Sequence, residues 1–347
     1  MMKIAVILPS WVGDTVMATP ALRALRNRFP TAQLIGLGRY APLQILEPLG
    51  WFDQLINYGR SSRTRWSTAW QLRRERIDLA VSFPASESAA LMAFATGAKQ
   101  RLGFDRGLGK FLLHEREAHP RNLPFDQRPS EVDRFLKLVG RVGCETSDRR
   151  VELKTCEEGE RLADHYLQTT GLAACGKLIV VNSGAAMAES RLWHAPHLIQ
   201  FCRDLASDPD TGILLHCGPN ERAASAALAA QIDAPRVHSM AEWGDLPLHL
   251  SISLLGRASV VVSTDSGPRH IAVAMNRPVV SLFGSTNVEP TRTFNVPELV
   301  VQEPLACRPC WQKQCPLGHH QCMRAITPRR VQAAVEQALD SQRSQAA

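Results

Sequence analysis

Thr264-Asp265-Ser266-Gly267-Pro268-Arg269-His270 stands between an apolar run, Ala258 to Ser263, and a segment, Ile271 to Met275, with helical spacing. A short buried strand, a Ser/Gly turn and then a helix is the order found at the carboxyl end of a parallel strand. Ligands of open α/β sheets bind there, and the helix N-terminus offers unpaired N–H groups to a phosphate. The stretch therefore predicts a nucleotide-binding turn.

A second turn of the same kind lies near the other end of the chain. Lys3-Ile4-Ala5-Val6-Ile7-Leu8 reads as a buried strand, Pro9-Ser10-Trp11-Val12-Gly13-Asp14 as the turn, and Val16 to Arg28 as the helix. Asp14 is thus a carboxylate on a strand-to-helix turn. Two such turns so far apart in sequence predict two α/β halves facing each other across a cleft.

The chain has 347 residues, long enough for two domains that each bury a core. Its 45% apolar and 21% charged residues are those of a globular protein, which excludes a fibre or a disordered chain. No solenoid repeat is visible. Met1-Met2-Lys3 runs into an apolar stretch that ends at Pro9 without a cleavage site, and no run reaches the roughly 20 residues a bilayer span needs, so a soluble cytoplasmic protein is expected.

The net charge of +7 comes mainly from arginine, clustered at 60–76 and at 101–150. Arginine suits planar recognition of phosphate and carboxylate, which points to an anionic partner. Nucleic acid is disfavoured, because no helix-turn-helix, RNP or zinc-finger pattern occurs. A dinucleotide enzyme is disfavoured too, since no Gly-x-Gly-x-x-Gly follows the first strand. A non-catalytic binding module would have no need of Asp14.

Strands are expected near 3–8, 33–37, 54–57 and 78–82, with helices near 16–28, 41–48, 67–75, 86–95 and 131–140, and an irregular stretch over 104–130. After a linker at 171–176, strands are expected near 177–182, 212–216, 236–238, 259–263, 278–282 and 298–301. Helices should lie near 195–207, 220–231, 246–255, 268–275 and 328–341. This alternation is doubly wound α/β.

Ser10-Trp11-Val12-Gly13-Asp14 with Met17 to Leu22, the turn Asp265-Ser266-Gly267-Pro268 with His270, and Cys307-Arg308-Pro309-Cys310 with Cys315-Pro316-Leu317-Gly318-His319 and Cys322 together resemble glycosyltransferase family 9. These are the ADP-heptose:lipopolysaccharide heptosyltransferases, and the pattern is nearest the heptosyltransferase II branch. The resemblance implies a GT-B fold of two Rossmann-like doubly wound domains facing a central cleft. The acceptor domain would be 1–172, the nucleotide-sugar domain 173–327, and 328–347 a C-terminal helix packing back toward domain one.

The implied reaction is an inverting transfer of heptose from ADP-L-glycero-D-manno-heptose to the inner-core heptose I of lipopolysaccharide, at the cytoplasmic face of the inner membrane. Alternatives are another nucleotide sugar or core acceptor on the same scaffold, or a UDP-sugar epimerase of GT-B architecture. Asp14 is the implied base, although an Asp before an apolar helix also suits a plain N-cap. The implied donor residues are Ser183, Gly184, Arg191, Glu221, Thr264, Asp265, Ser266, Gly267 and His270. Ser10, Gly13, Arg60 and Arg63 are implied for the acceptor, with Arg65, Arg101 and Arg106 as weaker candidates.

One departure is plain. The family's Lys-Arg-Trp-Pro is here Arg191-Leu192-Trp193-His194, so a guanidinium stands where an ammonium is usual.

Four of the nine cysteines, Cys307, Cys310, Cys315 and Cys322, fall at C-x2-C-x4-C-x6-C. Such spacing suits a structural zinc, with His319 or His320 as substitute ligands. A cluster of unligated thiols is the alternative. No cofactor is expected for catalysis itself.

Overall fold

The computed structural model describes every residue except 60, 120–122, 124–126, 183, 185–187 and 347, and only the backbone of 62 and 342–346. The chain divides into two compact units, 1–154 with 289–294, and 155–288 with 295–347.

The first unit holds strands β1 (Lys3–Ile7), β2 (Gln33–Gly38), β3 (Gln54–Asn57), β4 (Leu79–Ser82), β5 (Gln100–Asp105) and β6 (Glu115–Ala118). Its helices are α1 (Val12–Arg28), α2 (Tyr40–Leu46), α3 (Ser62–Leu72), α4 (Glu87–Ala95), α5 (Gly109–Leu112) and α6 (Glu131–Gly140). The strands pair in parallel in the order β3-β2-β1-β4-β5-β6. Helices cover the sheet, so its inner strands read as unbroken apolar runs such as Ile4-Ala5-Val6-Ile7.

The second unit repeats the plan. Its strands are β7 (Lys177–Asn182), β8 (Thr211–Leu215), β9 (Val237–Ser239), β10 (Val260–Thr264), β11 (Val279–Phe283) and β12 (Glu298–Gln302). Its helices are α7 (Glu157–Thr169), α8 (Ala195–Ala206), α9 (Arg222–Ile232), α10 (Leu248–Gly256), α11 (Gly267–Ala274), α12 (Gln321–Arg324) and α13 (Pro328–Ala346). The order β12-β11-β10-β7-β8-β9 is again that of a Rossmann sheet. Its strand order reverses between β7 and β10, as that of the first sheet reverses between β1 and β4. Two such units make up the GT-B fold.

Several expectations need correction. The stretch 104–130 is not wholly irregular: β5 reaches into it, and α5 and β6 lie within it. The unit boundary falls at 154, not 172, because α7 packs on α10 of the second unit. The C-terminal helix α13 packs on α8 and on β10, β11 and β12 of its own unit.

Helix α1 begins at Val12, earlier than expected, and carries Pro20 within it. Proline cannot bond the carbonyl four residues back. That carbonyl, Val16 O, instead accepts the Thr19 hydroxyl at 2.7 Å.

Candidate functional site

In the second unit, the loops after β7, β8 and β10 converge beside the strand-order reversal. Thr264, the last residue of β10, donates from Oγ1 to Gly184 O at 2.8 Å. Glu221, in the turn before α9, accepts the Gly218 N–H at 2.9 Å. Its carboxylate also lies against Gly184, where a Cβ would collide with it. Gly184, Glu221 and Thr264 are therefore brought together. Ser183 lies outside the described residues.

Asn182 ties two of these loops together. Its amide donates to Ser266 Oγ at 2.9 Å, to Ser263 Oγ at 3.2 Å and to Gly184 O at 3.3 Å. Its Oδ1 stands 3.3 Å from Nδ1 of the buried His216. Burial pushes His216 down to about 4, so at neutral pH the ring is uncharged and Nδ1 can donate. The sequence reading missed both residues. A polar side chain closing the apolar run Leu178 to Val181 was the available signal.

Ser266 is the N-cap residue of α11, but its side chain does not cap the helix. It accepts from Asn182 and donates to Thr264 O at 3.2 Å. The N–H groups of the first turn of α11 keep their electrostatic pull on an anion, except at Pro268, which has none. His270 is buried, and burial together with Arg269 beside it holds the ring well below its ordinary range. A neutral imidazole supports the loop or donates an N–H, and brings no charge to a phosphate.

Asp265 is joined by two guanidiniums. Arg191 Nη1 reaches its carbonyl at 2.9 Å and its carboxylate at 3.3 Å. Arg269, fully buried, lies 3.5 Å from the other carboxylate oxygen and pairs more tightly with Glu298. Arg191 is only partly covered, so a cationic face remains for a ligand. The Arg269–Glu298 pair was not foreseen, because nothing local in the sequence links a first-turn arginine to β12.

In the first unit, Asp14 occupies the first turn of α1, and the N-cap residue is Trp11. The simple capping role is therefore not the one Asp14 has. Ser10 and Gly13 flank it on the same turn. Helix α6 packs against α1 and begins with Glu131, whose N-cap Ser130 accepts the Asp133 N–H at 3.1 Å. Burial raises Glu131 to about 7 against the pull of its ion pair with Arg134, and the Asp14 carboxylate pushes it further in the same direction. The Arg134 guanidinium lies over Phe104 and Phe135, with centroids at 4.9 and 5.3 Å. Glu131 escaped the sequence reading because its proton affinity is set by tertiary burial.

The arginines divide by use. Arg63 is exposed on α3, Arg65 lies over Tyr58 at 5.3 Å, and Arg60 is outside the described residues. Arg101 is occupied structurally: it donates to Leu112 O at 2.6 Å and to Ala98 O at 2.9 Å. Arg106 likewise donates to Ala85 O at 2.8 Å.

All nine cysteines are free thiols. Cys307, Cys310, Cys315 and Cys322 line one small cavity together with His319. Among the described residues, no three Cys, His, Asp or Glu side chains already meet around a point that could hold a metal ion.

Two Rossmann-like sheets of this order are the architecture of the GT-B class. The profile of glycosyltransferase family 9 (heptosyltransferase) matches residues 65–321, and the chain belongs to that family. It is similar to lipooligosaccharide heptosyltransferase 2 of Campylobacter jejuni, 25% identical over 97% of each chain. The solved structure of ADP-heptose lps heptosyltransferase II of Escherichia coli superposes with a TM-score of 0.77, at 23% identity over 99% of this chain and 100% of that one. A family 9 glycosyltransferase of Veillonella parvula gives 0.82, at 20% identity over 98% and 97%.

Proposed function

We propose that this glycosyltransferase moves a heptosyl group from ADP-L-glycero-D-manno-heptose to the inner-core heptose I of lipopolysaccharide, with inversion. The observation that carries the reading is the convergence of Gly184, Glu221 and the Thr264–Gly267 turn beside Arg191 at the strand-order reversal of the second sheet. The names of the full-length relatives, heptosyltransferase 2 and ADP-heptose lps heptosyltransferase II, supply the sugar and the nucleotide.

In this reading the diphosphate sits on the N–H groups of the first turn of α11, with Arg191 as counter-charge, and Glu221 takes the ribose hydroxyls. Asp14 removes the proton of the acceptor hydroxyl as its oxygen bonds to the anomeric carbon from the face opposite ADP. The carbon–oxygen bond to the β-phosphate breaks, and its electron pair leaves on ADP. Arg191 and the helix terminus stabilise the charge that develops there.

The acceptor is a membrane lipid, while among the described residues no helix is long and apolar enough to cross a membrane. Surface docking is the reading that fits an exposed aromatic and basic row on the first unit. Arg73 lies over Trp70 at 4.8 Å and against Gly97, and Arg101 lies over Phe94 at 5.3 Å. Phe111, beside Leu112 to which Arg101 is bonded, is 84% exposed. Aromatic rings beside arginines suit an anionic headgroup layer.

The test is ADP release from ADP-heptose, ADP-glucose and UDP-glucose, each with and without deacylated heptose I core, with the product anomer read by NMR. Release from ADP-heptose only with acceptor, with inversion, and loss of about 10²–10⁴-fold in Asp14→Asn at unchanged donor affinity, is expected. Equal use of all three donors, retention of configuration, or near-normal turnover of Asp14→Asn overturns it.

A further inference from the structure

The segment between β12 and α12, residues 303–320, contains neither helix nor strand. A stretch that long without regular structure needs something to hold it. Among its hydrogen bonds to the rest of the unit are two from Ser190, which donates its N–H to Lys313 O at 3.0 Å and its hydroxyl to Gln312 O at 2.5 Å. Ser190 Oγ is also 2.9 Å from Ser285 Oγ. The segment thus lies under the turn that presents Arg191.

Within it is the cavity bordered by Cys307, Cys310, Cys315, Cys322 and His319, of about 20 Å³. That is room for one occupant about the size of a water. Sulfur and imidazole supply half of its lining, and Ser190, Ser285, Arg308, Pro316 and Leu317 the rest. The Arg308 guanidinium stands near Cys307 and Cys322, and is itself fixed by Gly284 O and Glu303 O at 2.5 and 2.7 Å. A cation beside the cluster offsets part of the negative charge that four thiolates would bring together.

We propose that this cavity binds one thiophilic divalent cation, zinc or ferrous iron, through the four cysteine sulfurs, and that the ion fixes the 303–320 segment beneath Arg191. Four thiols lose four protons as four sulfur–metal bonds form, and no electron is transferred. The sulfurs border the cavity without yet meeting at one point, so binding draws them inward by side-chain rotation along a segment that no helix or strand restrains. His319 is the substitute ligand. The ion is structural, and its presence does not depend on which sugar the enzyme transfers.

The test is elemental analysis of the full chain, purified untagged and without chelator. About one zinc or iron per chain is expected, falling at least tenfold in Cys310→Ser/Cys315→Ser and unchanged in Cys156→Ser/Cys175→Ser. The zinc-to-iron ratio identifies the ion. As a second arm that needs no variant, chain stripped by chelator and refilled with cobalt should show sulfur-to-cobalt charge-transfer absorption. A folded chain, judged by circular dichroism, with no stoichiometric metal and no cobalt spectrum overturns the proposal, as does metal retained in Cys310→Ser/Cys315→Ser.

Discussion

Gly184 and Glu221 lie so close that a methyl group on the first would occupy the space of the carboxylate of the second. Glycine at 184 is therefore required by contact with Glu221, and not by backbone conformation. Gly184→Ala should displace Glu221 and weaken binding of the nucleotide about as much as Glu221→Ala does. Because one contact is being removed twice, the double variant should be no worse than either single variant. Titration calorimetry with ADP measures all three. Additive losses would show that Gly184 and Glu221 act separately.

Arg269 is a buried cation held between two carboxylates. It is fully buried and bridges Asp265, on the turn after β10, to Glu298 on β12. Removing one partner of a buried ion pair leaves the other charge uncompensated and costs about 3–5 kcal/mol. Arg269→Met should lower the thermal midpoint of the full chain accordingly, and Arg269→Met/Glu298→Gln should recover part of the loss. An unchanged midpoint in Arg269→Met would show that the pair contributes nothing.

Acid should destabilise the second unit through two buried histidines, His216 and His270. His216 is depressed by burial from 6.5 to about 4, so the folded state resists protonation that the unfolded state accepts. Its contribution is fully present above pH 6.5 and is lost progressively as pH falls toward 4. His216→Gln should reduce the fall of the melting temperature across that window, with the part due to His270 remaining, at some cost above it. A slope as steep as that of the unaltered chain would remove His216 as the cause.

Both strand-to-helix turns were legible because parallel strands buried on both faces leave apolar runs, Ile4 to Leu8 and Val260 to Val262, that end abruptly in turn residues. The elements that were missed lack that pattern. β6, Glu-Arg-Glu-Ala at the edge of its sheet, is polar because one side of it has no neighbouring strand. Helix α7 opens with Glu157, Glu158 and Glu160, a favourable first turn that reads as a solvated loop until its packing on α10 is seen. In the candidate site, Thr264, Asp265 and Gly267 could be picked from a local motif, and Glu221 only through the family resemblance. Asn182, His216 and Arg269 could not, because their roles come from partners in other strands and loops.

Glu131 offers a pH readout for the first unit that no motif announces. Burial, with the Asp14 carboxylate adding to it, raises Glu131 from 4.5 to about 7, so the folded state holds a proton that the unfolded state releases. The sign is opposite to that of His216: stability is highest below pH 4.5 for this group and falls as pH rises through 7. Glu131→Gln should remove that fall, and the melting temperature between pH 5 and 8 checks it. The same substitution should alter turnover, since ionisation of Glu131 near pH 7 places a second negative charge in the field of Asp14. An inflection near pH 7 in kcat for the unaltered chain should disappear in Glu131→Gln while donor affinity stays unchanged. A purely structural glutamate would shift the melting curve and leave the kcat profile as it was.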